Sequence, residues 1–279
     1  MAAAFDRDLD TCFARIERLL DEARARGAAM VVFPESTLGG YLREDGVADL
    51  LPPALDPGGP ELARLAALAG DTVVCAGYTE ALADGGLASA AVCVTGDGIL
   101  GHHQKVHLPP AERFAFTAGS AFTAFDTPVG RVGLMLCYDK LFPEAARTLA
   151  ADGAEIIACL AAWPADRHRP ADRIEADRQT RHFDAIDVAR AIENQVVWVS
   201  ANQAGDWGRL CFLGRSRVVD PDGCVLAETG HDGGMAVGEI DPAAAIADTK
   251  LFIDHLADRR TAAYGAGGAA EALGVPLPG

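Results

Sequence analysis

Basic residues are scarce in this chain: 24 Lys and Arg stand against 40 Asp and Glu, a formal net charge of −16. That balance excludes a nucleic-acid binder, because phosphate contacts need clustered Lys and Arg. It argues equally against docking on an anionic membrane. The acidity reads as a solvated surface. Long apolar runs are missing too. None reaches the roughly 18 to 20 residues of a membrane span. The N-terminal "MAAAFDRDLD" has neither the basic region nor the apolar core of a signal peptide. The seven cysteines include no C-x-x-C pair and no regular spacing. A reduced, cytoplasmic protein fits that pattern better than a disulfide framework does.

What is present is core material, since 50% of the residues are hydrophobic. In "DTCFARIERLLDEARARG", Phe13, Ile16, Leu20 and Ala23 recur at helical spacing, with Asp10 as the expected cap and Gly27 as the stop. "AAMVVFPES" follows as a short apolar strand ended by Pro34. "PELARLAALAGDTVVCAGYTE" repeats this order of helix and buried strand, the grammar of a layered α/β domain. "SAAVCVTGDGILGHHQKVHL" and "SAFTAFDTPVGRVGLMLC" each read as two strands joined by a glycine-containing turn. A helix is expected over about 143–152, then strand "AEIIACLA", helix "HFDAIDVARAIENQ" and strand "VVWVSANQ". "SRVVDPDGCVLAE" and "GMAVGEID" are expected to complete the sheets. No repeat or linker divides the chain, so one domain over residues 1–264 is expected. The Gly-, Ala- and Pro-rich tail at 265–279 reads as extended or mobile.

Three reactive residues fall where strands end: Glu35 after Pro34, Lys105 before the loop "HLPPAE", and Cys137 between an apolar strand and a helical pattern. α/β folds place their chemistry at such strand ends. A free thiol has a pKa near 8.5, so only a few per cent is thiolate at neutral pH. A helix N-terminus and a nearby ammonium stabilise the anion, and the thiol would then react fast below its free pKa. Alternatively a carboxylate takes the proton directly as general base. Lys105 and the backbone N–H of Tyr138 suit an oxyanion. Spacing alone does not establish such a triad, because Glu, Lys and Cys far apart occur in almost any chain of this length.

The motifs carry more. "VVFPES" around Glu35, "KVHLPPAERFAFTAG" around Lys105 and "GLMLCYDKLFPEAARTLAADGAEII" around Cys137 stand in this order. They are followed by "ARAIENQVVWVSAN", "SRVVDPDGCVLAE" and "DRR" at 258–260. Over roughly residues 9–264 the chain resembles the nitrilase, or carbon–nitrogen hydrolase, superfamily. The resemblance implies an α/β fold, a four-layer α-β-β-α sandwich, assembled as a homodimer or higher homo-oligomer. It implies Glu35 as general base, Lys105 as oxyanion stabiliser and Cys137 as nucleophile, acting through a thioester. It also implies Glu112, seven residues after Lys105, as a supporting residue that holds the lysine and helps position substrate. No metal or organic cofactor is implied. The expected substrate is a small amide or N-carbamoyl compound. Nitrile hydrolysis, acyl transfer to an amine and a non-catalytic binding protein are the alternatives. Tyr138-Asp139 after the cysteine is similar to the amidase and carbamoylase branches, where nitrilases usually carry Trp-Glu.

One departure stands out. The superfamily normally begins with an apolar strand upstream of the position of Phe5-Asp6, and Met1-Ala2-Ala3-Ala4 does not supply it. A start site assigned too far downstream would account for this, and a missing strand would leave a gap or exposed edge in the sheet. Other residues carry weaker expectations. Lys140 is either a ligand for a substrate carboxylate or a solvated lysine. Trp163 is either a pocket wall or core, and His107 orients the active-site loop. Asp139 is expected to cap the following turn, and Arg190 with Glu193 to form an ion pair along a helix. His103 and His107 are four apart in a segment read as strand and loop, with Lys105 between them, a poor metal site. Cys75, Cys93 and Cys159 read as core; Cys12, Cys211 and Cys224 have no identifiable partner.

Overall fold

A computed structural model describes residues 1–42 and 51–264; the tail at 265–279 lies outside the described residues. The first half of the chain forms α1 (Leu9–Arg24), β1 (Met30–Val32), β2 (Ala54–Leu55), α2 (Pro60–Ala69), β3 (Val73–Ala81), β4 (Leu87–Thr95) and β5 (Gly98–Gln104). Then come β6 (Ala124–Thr127), β7 (Gly130–Leu136), α3 (Pro143–Ala151), β8 (Ile156–Ala161), α4 (Arg178–Asn194) and β9 (Val197–Asn202). β10 (Ala204–Trp207), β11 (Leu210–Leu213), β12 (Arg217–Val219), β13 (Val225–Glu228) and α5 (Pro242–Thr249) complete the described elements. Among them no helix is long and apolar enough to cross a membrane.

One sheet runs β1-β3-β4-β5, with β2 also paired to β3; the other runs β13-β12-β9-β8-β7-β6. The three central strands β7, β8 and β9 are parallel, as the helical crossovers α3 and α4 require. Alternation along the strands then sorts side chains into layers. Val73, Cys75, Ala91 and Cys93 face Leu134, Leu136, Ala158 and Leu160 between the two sheets. Val74, Ala76, Val92 and Val94 point the other way, against Phe13, Ile16, Leu20, Leu62 and Leu65 of α1 and α2. On the far side, Met135, Ile157 and Cys159 pack against Ala145, Leu149 and Ala191 of α3 and α4. The result is the expected α-β-β-α sandwich.

Local details differ from the sequence reading. Helix α1 is capped by Asp8, which accepts the Thr11 N–H at 2.7 Å; Asp10 lies inside the first turn. Asp8 has the extended backbone that a cap requires, which Asp10 lacks once the helix has begun. Helix α4 starts at Arg178, capped by Asp177, because the polar "RQTR" forms a turn that no apolar stripe announced. Hairpin β10–β11 falls in a stretch expected as loop. The expected strand "GMAVGEID" does not form; it makes an isolated bridge between Ala2 and Gly234. Its neighbourhood explains this. β1 is hydrogen-bonded to β3 on one side. Along its other side an apolar cleft of about 650 Å³, lined by Val31, Val199, Met235 and Val237 among others, separates it from residues 235–240. Residues 235–240 instead pass beside β12 and β13, a Cβ on Gly238 reaching 3.1 Å from Val218 and 3.4 Å from Leu226, and β12 is already paired to β9 and β13.

Candidate active site

Glu35 follows the proline that stops β1, and the turn there is tight. Ser36 is left-handed, with φ 56°. A Cβ on Gly77 of β3 would lie 2.5 Å from Ser36 N and 2.8 Å from Glu35 Cα, so only glycine lets the two segments pass. The buried carboxylate is fully used. Oε1 accepts Lys105 Nζ at 2.7 Å and Ser89 Oγ at 3.1 Å, and Oε2 accepts the Ala162 N–H at 3.0 Å.

Lys105 follows β5, anchored by its N–H on Ser89 O at 2.8 Å and by Gly119 N–H on its carbonyl at 2.8 Å. Its ammonium donates to Glu35 Oε1 and Glu112 Oε1, both at 2.7 Å, and all three side chains are buried. Tyr41 Oη donates to the same Glu112 Oε1 at 2.5 Å. Glu112 Oε2 is buried without a partner, an acceptor left for something else. Burial alone would lower the lysine pKa, but the Glu112 and Glu35 carboxylates outweigh it and hold Lys105 well above its ordinary value. Burial raises the Glu112 carboxyl, which Lys105 only partly offsets.

Cys137 ends β7 in a left-handed conformation, φ 44°, rare for a residue with a side chain. A 3-10 turn, Cys137–Leu141, separates it from α3, so the thiol does not sit on the N-terminus of a long helix. Burial, followed by the Glu35 charge, pushes the thiol pKa well above its ordinary value, and Lys105 compensates only in part. That direction disfavours a resting thiolate. Direct proton transfer to a carboxylate is the alternative consistent with that direction. The Ala162 N–H donates to Glu35 Oε2 at 3.0 Å, and the Glu35 and Lys105 charges both act on the thiol, with opposite sign.

Asp139 does more than cap a turn. Its Oδ1 accepts the His107 N–H and meets His107 Nδ1, each at 2.8 Å; Oδ2 meets His103 Nε2 at 3.0 Å and accepts Leu136 N–H at 3.2 Å. The histidines two residues either side of Lys105 thus grip a carboxylate two residues after Cys137. Burial would raise the Asp139 pKa, but hydrogen bonds from His103 and His107 bring it down to about 2. His107 also stacks on Phe142, ring centroids 3.7 Å apart. Tyr138, the residue after the nucleophile, packs edge-on against the same Phe142.

Lys140 is not solvated. It is fully buried, donates to Asp187 Oδ1 at 2.8 Å, and lies 3.0 Å from the Phe183 ring centroid and 5.0 Å from that of Trp163. Helix α4 covers it, which the position of Lys140 near a helix start did not reveal. Trp163 is buried in the same cluster as Cys137, with Nε1 on Gln179 Oε1 at 3.0 Å. Arg190 pairs with Glu193 at 2.7 Å and also donates to the Lys140 carbonyl at 2.8 Å. Tyr41, Ser89, Asp187 and Gln203, whose Nε2 donates to Glu35 O at 2.8 Å, escaped the sequence reading. Only Ser89, a hydroxyl in an otherwise apolar strand, left a signal there.

The pattern of the carbon-nitrogen hydrolase family matches residues 2–249. An (R)-stereoselective amidase from a Pseudomonas species is 37% identical over 91% of this chain and 88% of its own length. Among solved structures, a carbon-nitrogen hydrolase from Helicobacter pylori G27 superposes with TM-score 0.82 at 26% identity, covering 94% of each chain. An amidase from Nesterenkonia sp. AN1, in a variant that shows Michael addition of acrylamide at its active-site cysteine, superposes with TM-score 0.76. It is 25% identical, with 95% of this chain and 96% of that one covered.

Proposed function

Because the chain belongs to the carbon-nitrogen hydrolase family, we propose that it is an amidase that splits small linear amides with Glu35, Lys105 and Cys137. The observation that carries this is the convergence on one point of a buried base, a buried cation and a thiol. Lys105 and the Ala162 N–H hold the two oxygens of Glu35, and the charges of Glu35 and Lys105 both act on the thiol.

The thiol waits protonated. As Sγ attacks the amide carbon, the S–C bond forms and Glu35 takes the sulfur's proton. The carbonyl oxygen becomes an oxyanion, stabilised by Lys105 Nζ and the Tyr138 backbone N–H. The unpartnered Glu112 Oε2 accepts an N–H of the substrate amide. Glu35 then gives its proton to the departing nitrogen, the C–N bond breaks, and ammonia leaves a thioester on Cys137. Water attacks that thioester with Glu35 again as base; the acid is released and the proton returns to sulfur. Asp139, with His107, fixes the nucleophile turn against the Lys105 loop, and Trp163 forms a wall beside the thiol.

The same reading places the enzyme in the cytoplasm, supported by seven free thiols. A homodimer or higher homo-oligomer is supported by the exposed apolar side chains Leu251 and Phe252.

A panel of primary amides and N-carbamoyl amino acids tests the proposal, reading ammonia and carbon dioxide together with Cys137→Ala as the blank. Ammonia alone, from the primary amides, is expected. Carbon dioxide released together with ammonia would replace the amidase by a carbamoyl hydrolase. Turnover persisting in Cys137→Ala would end the mechanism. Hydroxylamine added during turnover should divert the thioester to a hydroxamate.

A further inference from the structure

Two features of the site bear on what the acyl group of the substrate can be. The first is charge. Both buried lysines near the nucleophile are already neutralised, Lys105 by Glu35 and Glu112, and Lys140 by Asp187. Arg7, beside the aromatic cluster, is held by the Gly39 and Gly40 carbonyls. Around the thiol itself, one ammonium faces two carboxylates, so a third carboxylate brought in by the substrate meets repulsion without a partner among the described residues.

The second feature is a group of rings whose polar ends are all consumed within the protein. Tyr41 Oη is on Glu112 Oε1 at 2.5 Å, Trp207 Nε1 on Tyr41 O at 3.0 Å, and Trp163 Nε1 on Gln179 Oε1 at 3.0 Å. Phe212 stands edge-on to Tyr41, centroids 5.8 Å apart, and packs with Ala162, the residue whose N–H donates to Glu35 Oε2. With their donors spent, these rings offer only carbon surface to whatever lies beside the thiol, and edge-to-face or stacked contacts are the interactions they can still make.

Resting on the amidase reading above, we propose that the substrate class is uncharged primary amides with an aromatic or bulky apolar acyl group, received by Tyr41, Trp163 and Phe212. Carboxylate-bearing amides and N-carbamoyl amino acids are then poor substrates. Strong selection is expected only against charge, because apolar pockets discriminate size by about 10- to 200-fold per methylene at most.

The test compares acetamide, 3-phenylpropionamide, its 4-carboxy analogue and its 4-aminomethyl analogue. For turnover by the full chain, kcat/KM for 3-phenylpropionamide should exceed that for acetamide at least tenfold, and the 4-carboxy compound should fall about a hundredfold below it. Calorimetry on the Cys137→Ala protein should show the same order of binding, which separates recognition from chemistry. If that order appears without any turnover, the amidase reading fails and the pocket stands. Phe212→Leu, which keeps most of the packing, should shrink the ratio of 3-phenylpropionamide to acetamide by about tenfold, and Phe212→Ala by more. Equal kcat/KM for acetamide, or preference for either charged analogue, would overturn the proposal.

Discussion

Two lysines lie buried on either side of the nucleophile's turn, and they differ in what surrounds their partners. Lys140 meets one carboxylate, and that carboxylate is satisfied: Asp187 also accepts Trp198 Nε1 at 2.9 Å and Ser200 Oγ at 2.7 Å. Lys105 meets two carboxylates, and one oxygen of Glu112 has no partner at all. A saturated network gains nothing from a ligand; an unsaturated one is completed by it. By that criterion Lys140 ties the 3-10 turn to α4, while Lys105 lies in the unsaturated network that the proposed amidase reading assigns to substrate.

The comparison can be broken at several points. Lys105→Met should lower kcat/KM by a factor of about a hundred to a thousand, the cost of losing one oxyanion donor. The loss is to be read on protein whose folded fraction is established by circular dichroism. Of comparable size is Asp187→Ala, which strands the Lys140 charge and should lower stability by about 3–5 kcal/mol in urea unfolding. The double variant Lys140→Met/Asp187→Leu should recover most of it, since an apolar pair replaces a buried ion pair at little cost. Asp187→Ala with unchanged stability and lost activity would reverse the roles of the two lysines.

Smaller still is the acid dependence of Asp139. Its folded pKa, about 2, is depressed from an ordinary 3.8. The stability it contributes is therefore present above the ordinary value and is lost as pH falls through the folded one. The contribution is on the order of 2 kcal/mol. In Asp139→Asn that part of the slope between about pH 4 and pH 2 should vanish, measurable by thermal unfolding at stepped pH. The least effect belongs to Cys159→Ala, in the layer beneath α3 and α4, with a stability loss of about 1 kcal/mol and unchanged kcat/KM. A change in kcat/KM there would tie the outer core to the site.

How much was legible follows which contacts were local. The layers were, because Val73 and Cys75 alternate with Val74 and Ala76, and α1 shows its stripe of Phe13, Ile16 and Leu20. Glu35, Lys105 and Cys137 were marked as candidates by their places at strand ends and by motif, and the fold brings them together. The residues misread had local settings that suggested one thing and distant neighbours that imposed another. Asp139 looks like a cap until His103 and His107 arrive from β5 and its loop. Lys140 looks solvated until α4 sets Asp187 and Phe183 against it. Residues 235–240 look like a strand, yet they line an apolar cleft beside β1 without pairing to it.

The sequence by itself thus determined the order of helices and strands, the layering and the candidate nucleophile, because those depend on periodicity and on turns within a few residues. Tertiary contacts alone set which buried charges are saturated, which way the thiol pKa moves and which rings pack around Glu112 and Ala162. Those are set by groups dozens of residues apart, whose burial removes water as a partner and leaves each polar atom to what the fold brings beside it.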